Sequence, residues 1–302
     1  MERTQAHALR DVALYALLSI IWGSTFLVIK IGYGGLGPFN VAAIRFFVAG
    51  AVLAAIGAVA RVRWPQGRSE WALIVWVGLL LFTGDYGLIY WAEQYIDSGL
   101  TAILFATLPL VTVAFAHVYI PGEPLTSRKL AGTLLAFLGV AALFGDRVRL
   151  DASQLVPMLA VVVAAICAAA AGVATKRHGA ALHPAAFNAP AMLVGASALL
   201  VVSWAAGDGF RLPPDAATWG AIAYLAVAGT VVTFLVYFSL LKTWSVTSLS
   251  FISVFTPIIA LLLGFAILGE RPTLFTGIGA ALVLGGVALA LVTSRQSAAR
   301  LR

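Results

Sequence analysis

One acid, Asp85, stands well inside an apolar run of this 302-residue chain. An ionisable group at that depth in hydrocarbon costs about 2.5 kcal/mol or more and is a functional candidate by default. Asp85 could hold a coupling cation or a proton. The competing reading makes it a structural partner for Arg45 or for a hydroxyl. Arg45 is the one clear base at depth in an apolar run. It could take a substrate carboxylate, but an internal partner or a reach towards the headgroups is the stronger reading.

Beside Asp85 runs a polar stripe of Thr83, Tyr86, Tyr90, Glu93 and Asp97. Steps of three and four place these residues on one helical face. A shift of 147 positions carries Thr83, Tyr86 and Tyr90 onto Thr230, Thr233 and Tyr237. Two such faces would suit the walls of a substrate cavity, with tyrosine rings and hydroxyls turned towards a solute. The alternative is hydroxyls that join helices. Trp22 and Ser253 complete the expected substrate-binding set. Pro109 and Pro257 lie in mid-run, where proline frees a carbonyl and kinks a helix. Ser253, Thr256 and Thr107 stand close enough to bond the loosened backbone.

Other chemistry is poorly supported. His7, His117, His178 and His183 are scattered, and no two acids share an apolar run. No phosphate-binding glycine loop is present. Cys167 is the single cysteine, so neither a disulfide nor a cysteine metal site forms within one chain. The expectation is a protein that is not an enzyme, with no cofactor, no metal and no nucleic-acid partner.

The elements that must position these residues are membrane helices. The chain is 62% hydrophobic and 10% charged, where a soluble domain is about half apolar and a quarter charged. The apolar residues form ten runs, about 12–32, 38–60, 71–92, 98–120, 126–145, 154–174, 184–206, 217–241, 247–267 and 273–293. Each is about 20 residues, the length that crosses a bilayer as a helix. With ten spans, 13 Lys/Arg fall on the side of the termini and five on the other. That bias predicts a multi-pass protein of the cell membrane with cytoplasmic termini.

The chain also repeats itself. Pro109, Gly122-Glu123, Thr126, Gly132 and Gly139-Val140-Ala141 return as Pro257, Gly269-Glu270, Thr273, Gly279 and Gly286-Val287-Ala288. Lys30 and Pro38 recur as Lys176 and Pro184 at a shift of 146. Five helices per unit is an odd number, so the second unit must sit inverted. The expected fold is all-α and integral to the membrane, ten transmembrane helices in two inverted five-helix repeats, 12–145 and 154–293. Glu123 and Glu270 read as helix caps, and the repeated glycines as sites of close helix packing.

These motifs resemble the EamA-domain branch of the drug/metabolite transporter superfamily. The resemblance rests on Trp22-Gly23-Ser24, Arg45-Phe46, Pro109, Pro257 and the two Gly-Glu-x-x-Thr…Gly…Gly-Val blocks, and it covers nearly the whole chain. It implies ten helices, cytoplasmic termini, a central cavity, and export of small metabolites such as amino acids, or of drugs. One departure is clear. The related small multidrug exporters carry a glutamate in the first helix, and residues 12–32 here contain no acid.

The expected function is a secondary transporter working by alternating access, a probable exporter. Its partners would be the lipid bilayer, a zwitterionic or amphipathic solute, and protons or another coupling ion. The alternatives are a flippase for a lipid-linked carrier and a non-transporting membrane scaffold.

Overall fold

The computed structural model describes residues 2–143, 152–179, 181–259 and 274–300, and of 2–8, 152 and 292–300 the backbone alone. The chain is helical, and no strand occurs among the described residues. The helices are α1 (Glu2–Gly32), α2 (Pro38–Val59), α3 (Arg68–Ala92), α4 (Ser98–Tyr119) and α5 (Ser127–Leu143). They continue as α6 (Leu155–Gly179), α7 (Pro184–Ala205), α8 (Ala216–Thr243), α9 (Val246–Ile259) and α10 (Leu274–Arg300). Among the described residues, eight of these are long and apolar enough to cross a membrane; α5 and α9 fall short of that length. The chain is an integral, multi-pass membrane protein.

Local sequence sets the helix starts. Pro38 and Pro184 open α2 and α7 at the first-turn position, where the missing N–H is no loss. His183 Nδ1 accepts from the Ala185 N–H and caps α7. Asp215 accepts from the Thr218 N–H at 2.8 Å and caps α8, and that bond holds its carboxyl below the usual range.

Two helix pairs dominate the packing, α2 with α7 and α5 with α10. The α5–α10 seam is built on the repeated glycines. A Cβ on Gly132 would stand 2.6 Å from the Ala290 N and the Gly286 O, and one on Gly139 2.6 Å from the Val283 N. Gly279 and Gly286 press on α5 in the same way. Backbone lies against backbone there, as small residues permit in a membrane.

Neither α3 nor α8 is a regular helix. Each contains a π-helical stretch, Gly78–Asp85 and Val227–Val232. The α4 segment breaks at Ala106–Thr107, so Pro109 lies in the first turn of the helix that restarts at Leu108. That differs from the mid-helix kink expected of Pro109: the ring sits where no N–H is needed. In α9 the helix pauses at Phe251 and resumes before Pro257. Thr256 Oγ1 donates to the Ser253 carbonyl, the group Pro257 leaves free.

Candidate functional site

A cavity of 120 Å³ lies in the middle of the bundle. Trp22 and Phe26 of α1, Asp85 and Tyr86 of α3, and Phe105 and Thr112 of α4 form one wall. Gly172 of α6, Asn188 of α7, Tyr237 of α8 and Ser253 of α9 stand among those on the other. Both sequence units therefore contribute. The lining is mostly apolar and aromatic, and Trp22 packs against Phe234 and Tyr237 at centroid distances of 6.0 and 5.8 Å.

Three polar atoms of the lining are buried with no hydrogen-bond partner: Trp22 Nε1, Asp85 Oδ1 and Asn188 Oδ1. Buried polar atoms are nearly always satisfied, so unpaired ones on residues that line a cavity need an explanation.

The residues singled out by sequence divide into two groups. Trp22, Asp85, Tyr86, Tyr237 and Ser253 line this cavity. Thr83, Tyr90, Thr230, Thr233, Pro109 and Pro257 are not part of its lining. Thr83 donates to the Gly195 carbonyl at 3.2 Å and, more loosely, to its own Gly78 carbonyl five residues back. Thr230 donates to Leu225, also five residues back, at 2.8 Å. The recurring pair thus sits on the widened π turns, where a hydroxyl satisfies a carbonyl. Thr233 bonds the Gly229 and Thr230 carbonyls. The even spacing of the stripe assumed a regular helix, and each π turn inserts a residue and rotates the face.

Arg45 is fully buried behind the cavity wall. Its guanidinium donates to Thr230 Oγ1 at 2.9 Å, Tyr90 OH at 3.1 Å and the Gly229 carbonyl at 3.1 Å. The Phe46 and Tyr86 rings flank it at 5.2 and 4.9 Å. These contacts tie α2 to α3 and α8. No Arg45–Asp85 ion pair forms, so the pairing considered for Asp85 is absent, and its Oδ1 stays buried and unpaired.

At the end of the cavity nearest the start of α1, Glu123 joins the two sequence units. Its carboxylate accepts from the Val246 and Thr247 N–H groups at 3.1 and 3.4 Å and from the Thr247 hydroxyl at 2.7 Å. Glu123 is a cap, but of α9 rather than of the helix that follows it; Thr126 serves that one, accepting from the Lys129 N–H. Val246 itself lines the cavity. Glu270, the repeat of Glu123, lies outside the described residues. Nearby, Lys176 donates to the Leu241 and Trp244 carbonyls at the end of α8. At the other end of α1, Lys30 donates to the Ile96 carbonyl just past α3. His117 is a loop anchor, its Nδ1 accepting from the Leu125 N–H.

Sequence reasoning missed Asn188, although an Asn deep in an apolar run was a usable signal. Glu123's reach to α9 had no local signal, because its partners lie more than 120 positions away in the chain.

Known proteins share this chain's sequence and fold. The family described as "EamA-like transporter family" matches residues 11–145 and 155–292. An uncharacterized transporter of Bacillus subtilis, YoaV, is 27% identical over 279 residues, 89% of this chain and 92% of its own length. A probable terminal-alkyne amino-acid exporter of Streptantibioticus cattleyicolor is 30% identical, covering 92% of each chain. YedA, an uncharacterized inner membrane transporter of Escherichia coli, is 30% identical over 85% of this chain and 82% of its own. A solved crystal structure shares the fold at a TM-score of 0.78 and 23% identity, covering 95% of this chain and 98% of that one. With both of its units matched and its relatives named as transporters, the chain is a membrane transporter and belongs to the EamA-like transporter family.

Proposed function

We propose that the chain is a secondary transporter that exports a small zwitterionic or amphipathic metabolite, such as an amino acid, across the cell membrane. The observation that carries this is the central cavity, which both sequence units line and whose lining residues Trp22, Asp85 and Asn188 each hold a buried polar atom with no protein partner. Aromatic walls suit an apolar side chain, and the few polar atoms suit one charged head. Polyphosphates would need several bases, and no base lines the cavity. The relative named as a probable amino-acid exporter supports the same substrate class.

Alternating access between two inverted halves is the proposed mechanism. Three observations support it. The dominant contacts pair α2 with α7 and α5 with α10, each helix meeting the one five places on. Lys30 and Lys176 perform the same task at the ends of α3 and α8. The π turns recur at equivalent places. The excess of Lys/Arg on the side of the termini supports a cytoplasmic position for that side. On that orientation the Glu123 contact closes the cytoplasmic end.

The test is counterflow in proteoliposomes loaded with neutral amino acids, amines or nucleosides. Accumulation of labelled neutral amino acid against unlabelled internal solute is the expected result. No exchange with any of the three classes would overturn the reading.

A further inference from the structure

A second space, an open depression of 640 Å³, lies at the far end of α1. Lys30, Tyr33, Gly37, Glu93, Gln94 and Asp208 are among the residues that line it. It lies along the same two helices as the central cavity. Ile29 and Ile89 line the central cavity, while Lys30 and Glu93, respectively one and four residues further on, line this one.

Glu93 is the unusual member. It is 3% exposed, and both carboxylate oxygens are buried without a hydrogen-bond partner. No ion pair joins it to Lys30, whose ammonium instead faces the Ile96 carbonyl and Asp97 at 3.3 and 3.8 Å. The Tyr33 hydroxyl is also occupied, donating to the Tyr90 carbonyl at 2.6 Å. Asp208 brings a second carboxylate, packed so closely on Gly37 that any side chain there would collide with it. The lining thus carries two acids against one base, and that base is already engaged. A carboxylate with two unfilled acceptor oxygens is a receptor for a donor-rich cation.

We propose that Glu93 is the anchor of an ammonium-binding site in this depression, where the amino group of a solute docks outside the central cavity. As a station for cargo it rests on the transport reading above; as an ammonium site it does not. Because the Glu93 oxygens are closed to solvent, the side chain turns towards the opening when a primary ammonium engages it, with Asp208 on the same lining. Burial lifts the Glu93 carboxyl to about 8, with Lys30 acting against that rise. The bound cation therefore takes the place of a proton, and the proton leaves to solvent. The charged and titratable groups facing Glu93 are Lys30 and Tyr33 from α1 and its following turn, Tyr90 of α3, Asp97 beyond it, and Asp208 from the loop after α7. Burial, with Glu93 and Tyr90 close by, raises the Tyr33 phenol above its ordinary value, so it stays neutral throughout this range.

The experiment is a thermal-shift titration of the detergent-purified full chain with n-propylammonium chloride, with sodium chloride at matched ionic strength as reference. Expected is a saturable stabilisation that strengthens from pH 6.5 to 8.5 as Glu93 ionises. Glu93→Gln should weaken it about tenfold, the effect of losing bonds to a charged acceptor. Gly285→Ala, on an open face of α10, should leave it unchanged. Lys30→Gln should move the pH dependence to higher pH, since Lys30 is what opposes the rise of the Glu93 carboxyl, and this variant carries the test if Glu93→Gln does not fold. An equal response to sodium, a response kept in Glu93→Gln, one lost in Gly285→Ala, or an unmoved pH dependence in Lys30→Gln would each overturn the proposal. Binding that persists in a protein showing no counterflow would sink the transport reading and leave this site standing.

Discussion

The α5–α10 seam gives the most closely determined mutational outcome. In Gly132→Ala the new methyl would lie 2.6 Å from the Ala290 N and the Gly286 O, where ordinary contact begins at 3.4 Å. Both atoms are backbone and cannot rotate away, so the helices must part by about 0.8 Å or bend. Overpacking of this kind costs about 1–3 kcal/mol, against a helix-propensity gain of about 1 kcal/mol for Ala over Gly. The same seam supplies its own control. Gly285 adjoins Gly286 in α10, yet a Cβ there meets nothing within 4 Å. Gly285→Ala therefore keeps only the propensity gain and should be neutral or stabilising. The two variants should differ by about 1–3 kcal/mol. The assay is the fraction of monodisperse protein that survives a temperature series in one detergent. Gly132→Ala surviving as well as Gly285→Ala would refute the backbone-contact argument.

Three further outcomes follow from the polar groups. Asp85→Asn should abolish pH-driven flux in proteoliposomes, and unchanged pH dependence would remove Asp85 from coupling. Glu93 should make the protein less stable as pH rises. Its folded pKa, about 8, lies above an unfolded value of about 4.3, so the folded state holds the extra proton between them. Stability should fall across that window by up to about 1.4 kcal/mol per pH unit and level off above it; Glu93→Gln should flatten the slope, and an unaltered slope would assign it elsewhere. Glu123→Ala removes three hydrogen bonds that hold α9 at one end of the cavity. In a Cys167→Ala background, Ser250→Cys should then label faster from the cytoplasmic side, and an unchanged rate would mean the contact does not close that end.

Much of the architecture could be read from composition and spacing. Apolar runs announced the membrane helices because hydrocarbon leaves the backbone no other partner than itself. The repeated glycines announced close packing, and Gly132, Gly139, Gly279 and Gly286 do bring α5 and α10 into backbone contact. The candidate site was only half legible. Trp22, Asp85, Tyr86, Tyr237 and Ser253 share a cavity, while Thr83 and Thr230 serve the π turns beside it. Periodicity assumes a constant turn, and nothing in Gly78–Asp85 or Val227–Val232 signals the extra residue. Arg45 shows a second limit. A lone base in an apolar run invites an acidic partner, but here carbonyl, hydroxyl and ring faces share the load, and those come from α3 and α8 by tertiary packing.

The central claim is that solute passes through the cavity between Trp22, Asn188 and Tyr237. It is tested most directly by neutral amino-acid counterflow with Ser253→Phe, a substitution that places a ring in a 120 Å³ space, compared with Gly285→Ala on the open face of α10. Both proteins are first matched for folded yield in the same liposomes. Exchange lost in Ser253→Phe and retained in Gly285→Ala is the predicted result. Exchange at the unmodified rate through the filled cavity would contradict it.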